Sequence, residues 1–261
     1  MKIGLSLSGG GAKGIAHVGV IQALADHGVT VDIVAGTSAG AIVGALFAAG
    51  IPASRMLEAI RNASLFRIFR FLWPDRGLGD MTYLKQFLTR LIVTDSFESL
   101  HKPLYVPVMN INTGLIEIKN KGKLFDIVCA SSSVPLLFRP MEMDGNYYLD
   151  GGIGMNMPVR CMIGKVDLII GVNLVNHHII DNKYISSWKE IMSRVFDLSV
   201  YNNVKPEMEL CDLVIEPIDI HLYSRFNFSD SEKLYKAGYD GAMLKMPALI
   251  RMIKSFQESD D

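Results

Sequence analysis

The chain has 261 residues, 49% of them hydrophobic and 20% charged, with a net charge of −1. That length permits one or two domains with a sizeable core, and that composition excludes disorder as the main state. The near-equal 26 basic and 27 acidic residues exclude the bulk basic excess that nucleic-acid binding draws on.

Lys2 to Leu7 is short and apolar and predicts a buried strand. Residues 8–14 follow as a glycine-rich loop. Ile15 to Ala25 predicts a buried helix stopped by Gly28. Val31 to Ala35 predicts a second strand, and Ala39 to Ala49 a second helix stopped by Gly50 and Pro52. This alternation predicts an α/β fold, with a mainly parallel central sheet sandwiched by helices. The stretch Ile33 to Ser54 has no charged side chain for 22 positions. A membrane span is nevertheless disfavoured, because four glycines and Pro52 interrupt it. A signal peptide also fits poorly, since Met1-Lys2-Ile3 runs directly into the first strand.

Arg55 to Arg76 carries five arginines, with apolar residues at helical spacing and Phe66, Phe69, Phe71 and Trp73 among them. It reads either as a lid or membrane-contact helix or as a packed helix with a solvated basic face. Beyond it, helices are expected over Met81–Leu91, Phe125–Ser132, Ser187–Val200 and Ser231–Phe256. Strands are expected over Leu104–Asn112, Leu115–Lys119, Tyr147–Leu149, Leu168–Asn173 and Leu213–Glu216. The last helix, with Lys233, Lys236, Lys245, Arg251 and Lys254, reads as a packing helix rather than a membrane anchor. No linker or repeat divides the chain. Residues 1–261 are therefore expected to form one domain, with a motif core over 3–160 completed by 161–261. Cys129, Cys161 and Cys211 are too few and too widely spaced for a disulfide framework or a zinc site. They read as core residues in a reducing cytosol.

Three motifs carry chemistry. Gly36-Thr37-Ser38-Ala39-Gly40 lies between a predicted strand and a predicted helix. That is the context of a nucleophile elbow, in which a sharp turn projects the serine and a helix N-terminus lies behind it. Gly9-Gly10-Gly11-Ala12-Lys13-Gly14 matches Gly-x-Gly-x-x-Gly. A dinucleotide site is disfavoured, because its acidic partner belongs near the end of the second strand and Asp32 stands at the start. A phosphate loop is disfavoured because Gly14, not Ser or Thr, follows Lys13. The loop can instead aim N–H groups at a developing oxyanion, or it is simply a turn. Asp150-Gly151-Gly152 follows a short strand. Alone, Asp150 reads as a turn residue; beside a serine it is a candidate base. None of His17, His27, His101, His177, His178 and His221 sits in a catalytic motif, and His17 reads as a satisfied core group.

The ordered set Gly-Gly-Gly-x-x-Gly, Gly-Thr-Ser-Ala-Gly and Asp-Gly-Gly resembles the patatin-like phospholipase family. Ala130-Ser131-Ser132-Ser133-Val134-Pro135-Leu136-Leu137-Phe138, Asn156-Met157-Pro158 and Lys236-Ala237-Gly238-Tyr239 are similar to other family segments. The resemblance implies a patatin-like three-layer architecture and a Ser–Asp dyad, with Ser38 as nucleophile and Asp150 as base. It implies that Gly9, Gly10 and Gly11 form the oxyanion hole, supported by Lys13, Gly14, Gly36, Gly40, Gly151 and Gly152. Lys13 departs from the family's arginine, keeping the charge but not the planar fork. The implied substrates are phospholipid- or lysophospholipid-type acyl esters, with no metal and no cofactor. The implied location is the cytoplasm, with peripheral membrane contact through Arg55–Arg76. A catalytically silent regulatory member and a Ser–His–Asp esterase are the alternatives.

Overall fold

The computed structural model describes residues 1–62, 79–175, 179, 181, 185–225 and 227–259. Among them, eight strands form one sheet: β1 (Ile3–Leu7), β2 (Ile33–Gly36), β3 (Leu104–Asn110), β4 (Leu115–Lys119), β5 (Met141–Met143), β6 (Asn146–Asp150), β7 (Leu168–Val172) and β8 (Leu213–Ile215). The order is β5-β6-β3-β2-β1-β7-β8, with β4 also paired to β3. The β3-β2-β1-β7-β8 portion is parallel, and β4, β5 and β6 add antiparallel pairs. The expected mainly parallel sheet is present.

The helices are α1 (Ile15–Asp26), α2 (Ala39–Ala48), α3 (Ala53–Asn62), α4 (Thr82–Leu91), α5 (Leu124–Ser131), α6 (Trp188–Met208) and α7 (Ser231–Ser259). Strand alternation sorts the core into two layers. Leu5, Leu7, Val34 and Ile170 point to the larger cluster, under α1, α2, α5 and α7. Ala35 and Ile169 point to the opposite face, where Met157, Val159, Met162 and the α6 residue Val204 cover them. Two helical layers thus enclose one sheet. The short, apolar strands β1, β2 and β7 suit burial on both faces.

Several expectations shift. Residues 11–14 are a short 3-10 helix rather than open loop, stacked directly before α1. β5 was not foreseen, because Met141-Glu142-Met143 is three residues long and acquires its strand only by pairing with β6. α6 continues past Val200 to Met208, with Pro206 in its last turn. A proline there costs one helical hydrogen bond, and burial of Val204, with the bonds Glu207 accepts from the Val159 and Arg160 N–H groups, compensates. The uncharged stretch 33–54 is β2, the following turn, α2 and the start of α3. No described helix is long and apolar enough to cross a membrane.

Candidate active site

The carboxyl ends of β1 and β2 carry two of the motifs, the end at which open α/β sheets bind ligands, and the antiparallel β6 delivers the third beside β3. β1 and β2 are in register from Gly4↔Ile33 to Leu7↔Gly36. The residues that follow them, 8–14 and 37–38, are therefore neighbours. Asp150 ends β6 opposite Val108 of β3, and its backbone N–H donates to the Ser133 carbonyl at 3.0 Å.

Ser38 stands between β2 and α2 at φ 53°, ψ −119°. This is a conformation L-residues avoid, and it is a store of strain at a functional turn. The turn is held from several sides. Ser38 N–H donates to Ser131 Oγ at 3.1 Å. Thr37 Oγ1 donates to the Met155 carbonyl at 2.8 Å. Thr37 N–H donates to the Leu7 carbonyl at 3.2 Å. Gly36 and Gly40 make the bend possible, because a Cβ on Gly36 would collide with the Gly40 carbonyl and one on Gly40 with the Leu7 carbonyl. The Ala39 N–H opens α2, where no intrahelical acceptor is available.

Asp150 is 1% exposed. Burial pushes its carboxyl up to about 7, against hydrogen bonds from the Ser38 side chain and Gly152 and the nearby Arg225 charge. Gly152 N–H donates to Asp150 Oδ1 at 2.7 Å. The structure thus brings Ser38 and Asp150 together. Among the described residues no histidine hydrogen-bonds either of them. His17 Nε2 bonds the Ser8 carbonyl at 2.7 Å, His27 Nδ1 bonds the Ala23 carbonyl, and His177 and His178 lie outside the described residues. His17 corrects one expectation. It is buried, but only half satisfied, because Nδ1 has no partner.

The glycine loop also differs in detail. Gly9 N–H donates to the Asn156 carbonyl at 3.1 Å, so it is committed to the fold rather than free for an oxyanion. Asn156 Nδ2 returns a bond to the Gly9 carbonyl at 3.4 Å. Gly10 and Gly11 N–H groups have no acceptor among the described residues. Gly11 is at φ +61°, and a Cβ there would strike the Arg225 carbonyl, which accepts the Ala12 N–H at 2.7 Å. Gly14 lies under the elbow, where a Cβ would come 2.6 Å from Ala39 Cβ. A Cβ on Gly151 would strike the Pro107 carbonyl. The half-buried Lys13 ammonium is lowered to about 8 by burial and by Arg225, with Asp197 opposing.

An apolar cavity of about 90 Å³ opens beside Ser38, lined among others by Ile42, Val43, Leu84, Phe87, Phe138 and Phe228. Ile60 of α3 also lines it. Arg55 and Arg61, at the start of the predicted basic segment, pair with Glu58 and Glu232. The remainder of that segment, 63–76, lies outside the described residues.

A family model described as patatin-like phospholipase matches residues 5–163, more than half of the chain. The chain belongs to the patatin-like phospholipase family. This patatin-family chain is 29% identical over 278 residues to lysophospholipase NTE1 of Saccharomyces cerevisiae, covering 95% of this chain and 17% of that protein. It is 28% identical over 286 residues to an uncharacterized NTE family protein of Mycobacterium bovis, covering 95% of this chain and 48% of that protein. The chain therefore spans half or less of the length of these relatives. Among solved structures, VipD from Legionella pneumophila superposes with a TM-score of 0.53 at 19% identity, covering 95% of this chain and 67% of that one. That likeness concerns the fold alone.

Residues invisible to motif reading complete this candidate site. Asn203 of α6 donates to the Gly152 carbonyl at 2.8 Å and accepts from Asn156 N–H at 2.7 Å. Ser199 Oγ donates to the Ile153 carbonyl at 2.7 Å. Arg225 pairs with Asp197 of α6 and braces the glycine loop through its carbonyl. No local pattern marks Asn203, Ser199 or Arg225; only the docking of α6 assigns them. Ser131 belongs to the Ala130–Phe138 segment, and no local pattern marks its hold on the elbow.

Proposed function

We propose that this chain is a serine lipid acyl hydrolase acting through a Ser38–Asp150 dyad. The observation that carries the reading is Ser38 in a positive-φ elbow, hydrogen-bonded by its side chain to a buried carboxyl, beside free N–H groups. The Asp150 carboxylate takes the Ser38 Oγ proton as Oγ attacks the ester carbonyl carbon. The Gly10 and Gly11 N–H groups, with Ala39 N–H, stabilise the tetrahedral oxyanion; losing one such donor elsewhere costs about 10²–10³ in rate. Collapse breaks the ester C–O bond, and Asp150 returns the proton to the leaving alcohol. Asp150 then deprotonates a water that attacks the acyl-enzyme, releasing the carboxylic acid and restoring Ser38.

The apolar cavity beside Ser38 suits an acyl chain. Together with the names of the relatives, it favours lysophospholipid- or phospholipid-type esters as substrates. Peripheral contact with a lipid surface belongs to the same proposal. The Arg61–Glu232 pair, which joins α3 to α7, favours the packed reading for the first part of the basic segment.

The test is a fluorophosphonate probe together with hydrolysis of lysophosphatidylcholine. Wild type labels and turns over, and Ser38→Ala does neither. Labelling of Ser38→Ala at another serine refutes the nucleophile. Unchanged turnover by Asp150→Asn removes Asp150 as the base.

A further inference from the structure

The free donors of the glycine loop lie between two ties. On one side Gly9 exchanges bonds with Asn156. Its N–H donates to the Asn156 carbonyl at 3.1 Å, and Asn156 Nδ2 donates to the Gly9 carbonyl at 3.4 Å. On the other side the Ala12 N–H donates to the Arg225 carbonyl at 2.7 Å. That carbonyl presses on the loop so closely that a Cβ on Gly11 would strike it. The Gly10 and Gly11 N–H groups sit between these ties, and neither has an acceptor among the described residues.

Both ties lead to α6. The Asn156 N–H donates to Asn203 Oδ1 at 2.7 Å, and the Arg225 guanidinium pairs with Asp197. Between these two anchors, Ser199 and Asn203 donate to the Ile153 and Gly152 carbonyls, in the loop that follows Asp150. One helix therefore holds the glycine loop and the loop of the candidate base together. The Arg225 charge also reaches Asp150, where it favours the carboxylate, so the guanidinium lies near the base as well as the loop. The segment around it is seated too. Tyr223 and Phe228 pack against the larger core cluster, and Phe228 lines the cavity beside Ser38. The Arg225–Asp197 pair is part-exposed, and such a pair adds little to stability. Position is where it counts. Oxyanion donors act at about 2.7–3.1 Å, and a misplacement of about 1 Å costs about 10²-fold in rate.

We infer that Arg225 is a positioning residue of the acyl-transfer reaction: tied to α6 through Asp197, it fixes the downstream end of the glycine loop so that the Gly10 and Gly11 N–H groups meet the oxyanion. This rests on the hydrolase reading and adds to it a residue outside all three motifs. Arg225 touches no reacting atom and acts through the Ala12 N–H.

The experiment measures hydrolysis of a soluble butyrate ester and inhibition by an alkyl trifluoromethyl ketone. Ser38 Oγ adds to that ketone, its proton passes to Asp150, and the charged oxygen of the adduct takes the place of the oxyanion. In Arg225→Met, kcat falls by about tenfold or more, KM stays within about twofold, and the inhibition constant rises by a factor similar to the fall in kcat. Arg225→Lys still reaches Asp197, though without the planar fork, and stays within about threefold of wild type. Asp197→Asn cuts the tie from its other end and loses as much as Arg225→Met, and the double variant loses no more than either single one. Asp197→Asn is isosteric, so it carries the test if Arg225→Met does not fold. Turnover and inhibition like those of wild type in these variants overturn the inference. So does a fall in kcat with inhibition unchanged, because the loss then lies outside the oxyanion. Losses that multiply in the double variant overturn it as well. A wild type that leaves the ester uncut and Ser38 unlabelled by fluorophosphonate defeats the hydrolase reading and this role with it. A wild type that cuts and labels, matched by its variants, defeats this role alone.

Discussion

Asp150 couples the site's chemistry to the stability of the fold. Its carboxyl sits at about 7 in the folded chain against an ordinary 3.8, raised first by burial. The folded state therefore holds a proton that the unfolded chain has lost between these two values. Stability falls as pH rises through that window, and above pH 7 the buried charge costs as much as about 4 kcal/mol. The base is active only when ionised, so the acylation rate of Ser38 should climb with pH to a plateau, with its midpoint near 7. Asp150→Asn should raise the melting temperature at pH 8 and change it much less at pH 4, read by thermal unfolding. His17 has the opposite sign. Burial lowers it from 6.5 to about 4, so the unfolded chain gains a proton first as pH drops. Stability is lost between 6.5 and 4, by up to about 3 kcal/mol. His17→Leu should show a shallower acid loss by denaturant titration at pH 8 and 4.5. It should also be weaker at pH 8 by about 1 kcal/mol, for the lost bond to Ser8.

At the scale of elements, the elbow was legible because its requirements are local. Gly36, Ser38 and Gly40 span one turn, and a sharp strand-to-helix bend admits only small residues around the serine. Periodicity placed α1, α2 and the paired β3–β4 hairpin to within about two residues. It missed β5, which exists only through its partner, and ended α6 at Val200, short of Met208, because the turns beyond are held by docking on the sheet and not by a local signal. The same helix holds the loop after Asp150 through Asn203. Asn203→Ala should lower kcat for a soluble ester by about tenfold or more with little change in KM, since two bonds to the loop are lost. Loosening that loop also admits water. The pH midpoint of acylation should then move down from about 7 toward ordinary carboxylate values, a shift that a merely destabilised fold would not produce.

At the scale of the molecule, β1 is the hub. It pairs with β2 on one side and along its full length with β7 on the other, from Ile3↔Leu168 to Leu7↔Val172. α7 packs across α1 so closely that a Cβ on Gly19 would strike the Tyr235 carbonyl, and one on Gly238 the Ala16 carbonyl. We propose accordingly that residues 1–261 fold as one cooperative unit. A fragment ending at residue 160 should show no cooperative unfolding by circular dichroism, because it exposes one edge of β1 and the face of α1. Two separable transitions in the full chain would overturn this.

The amino-acid sequence alone determined the parallel α/β framework, the elbow around Ser38 and the glycine-rich turn. Each depends on sterics and periodicity within a short window. The pattern Asp-Gly-Gly named Asp150, but only the pairing of β6 with β3 put it beside Ser38, and only burial set its proton affinity. Tertiary structure also took Gly9 out of the free donors, by giving its N–H to Asn156. It also enlisted Asn203, Ser199 and Arg225. These outcomes depend on which distant segments meet and how much water they exclude, and no short stretch of sequence contains that information.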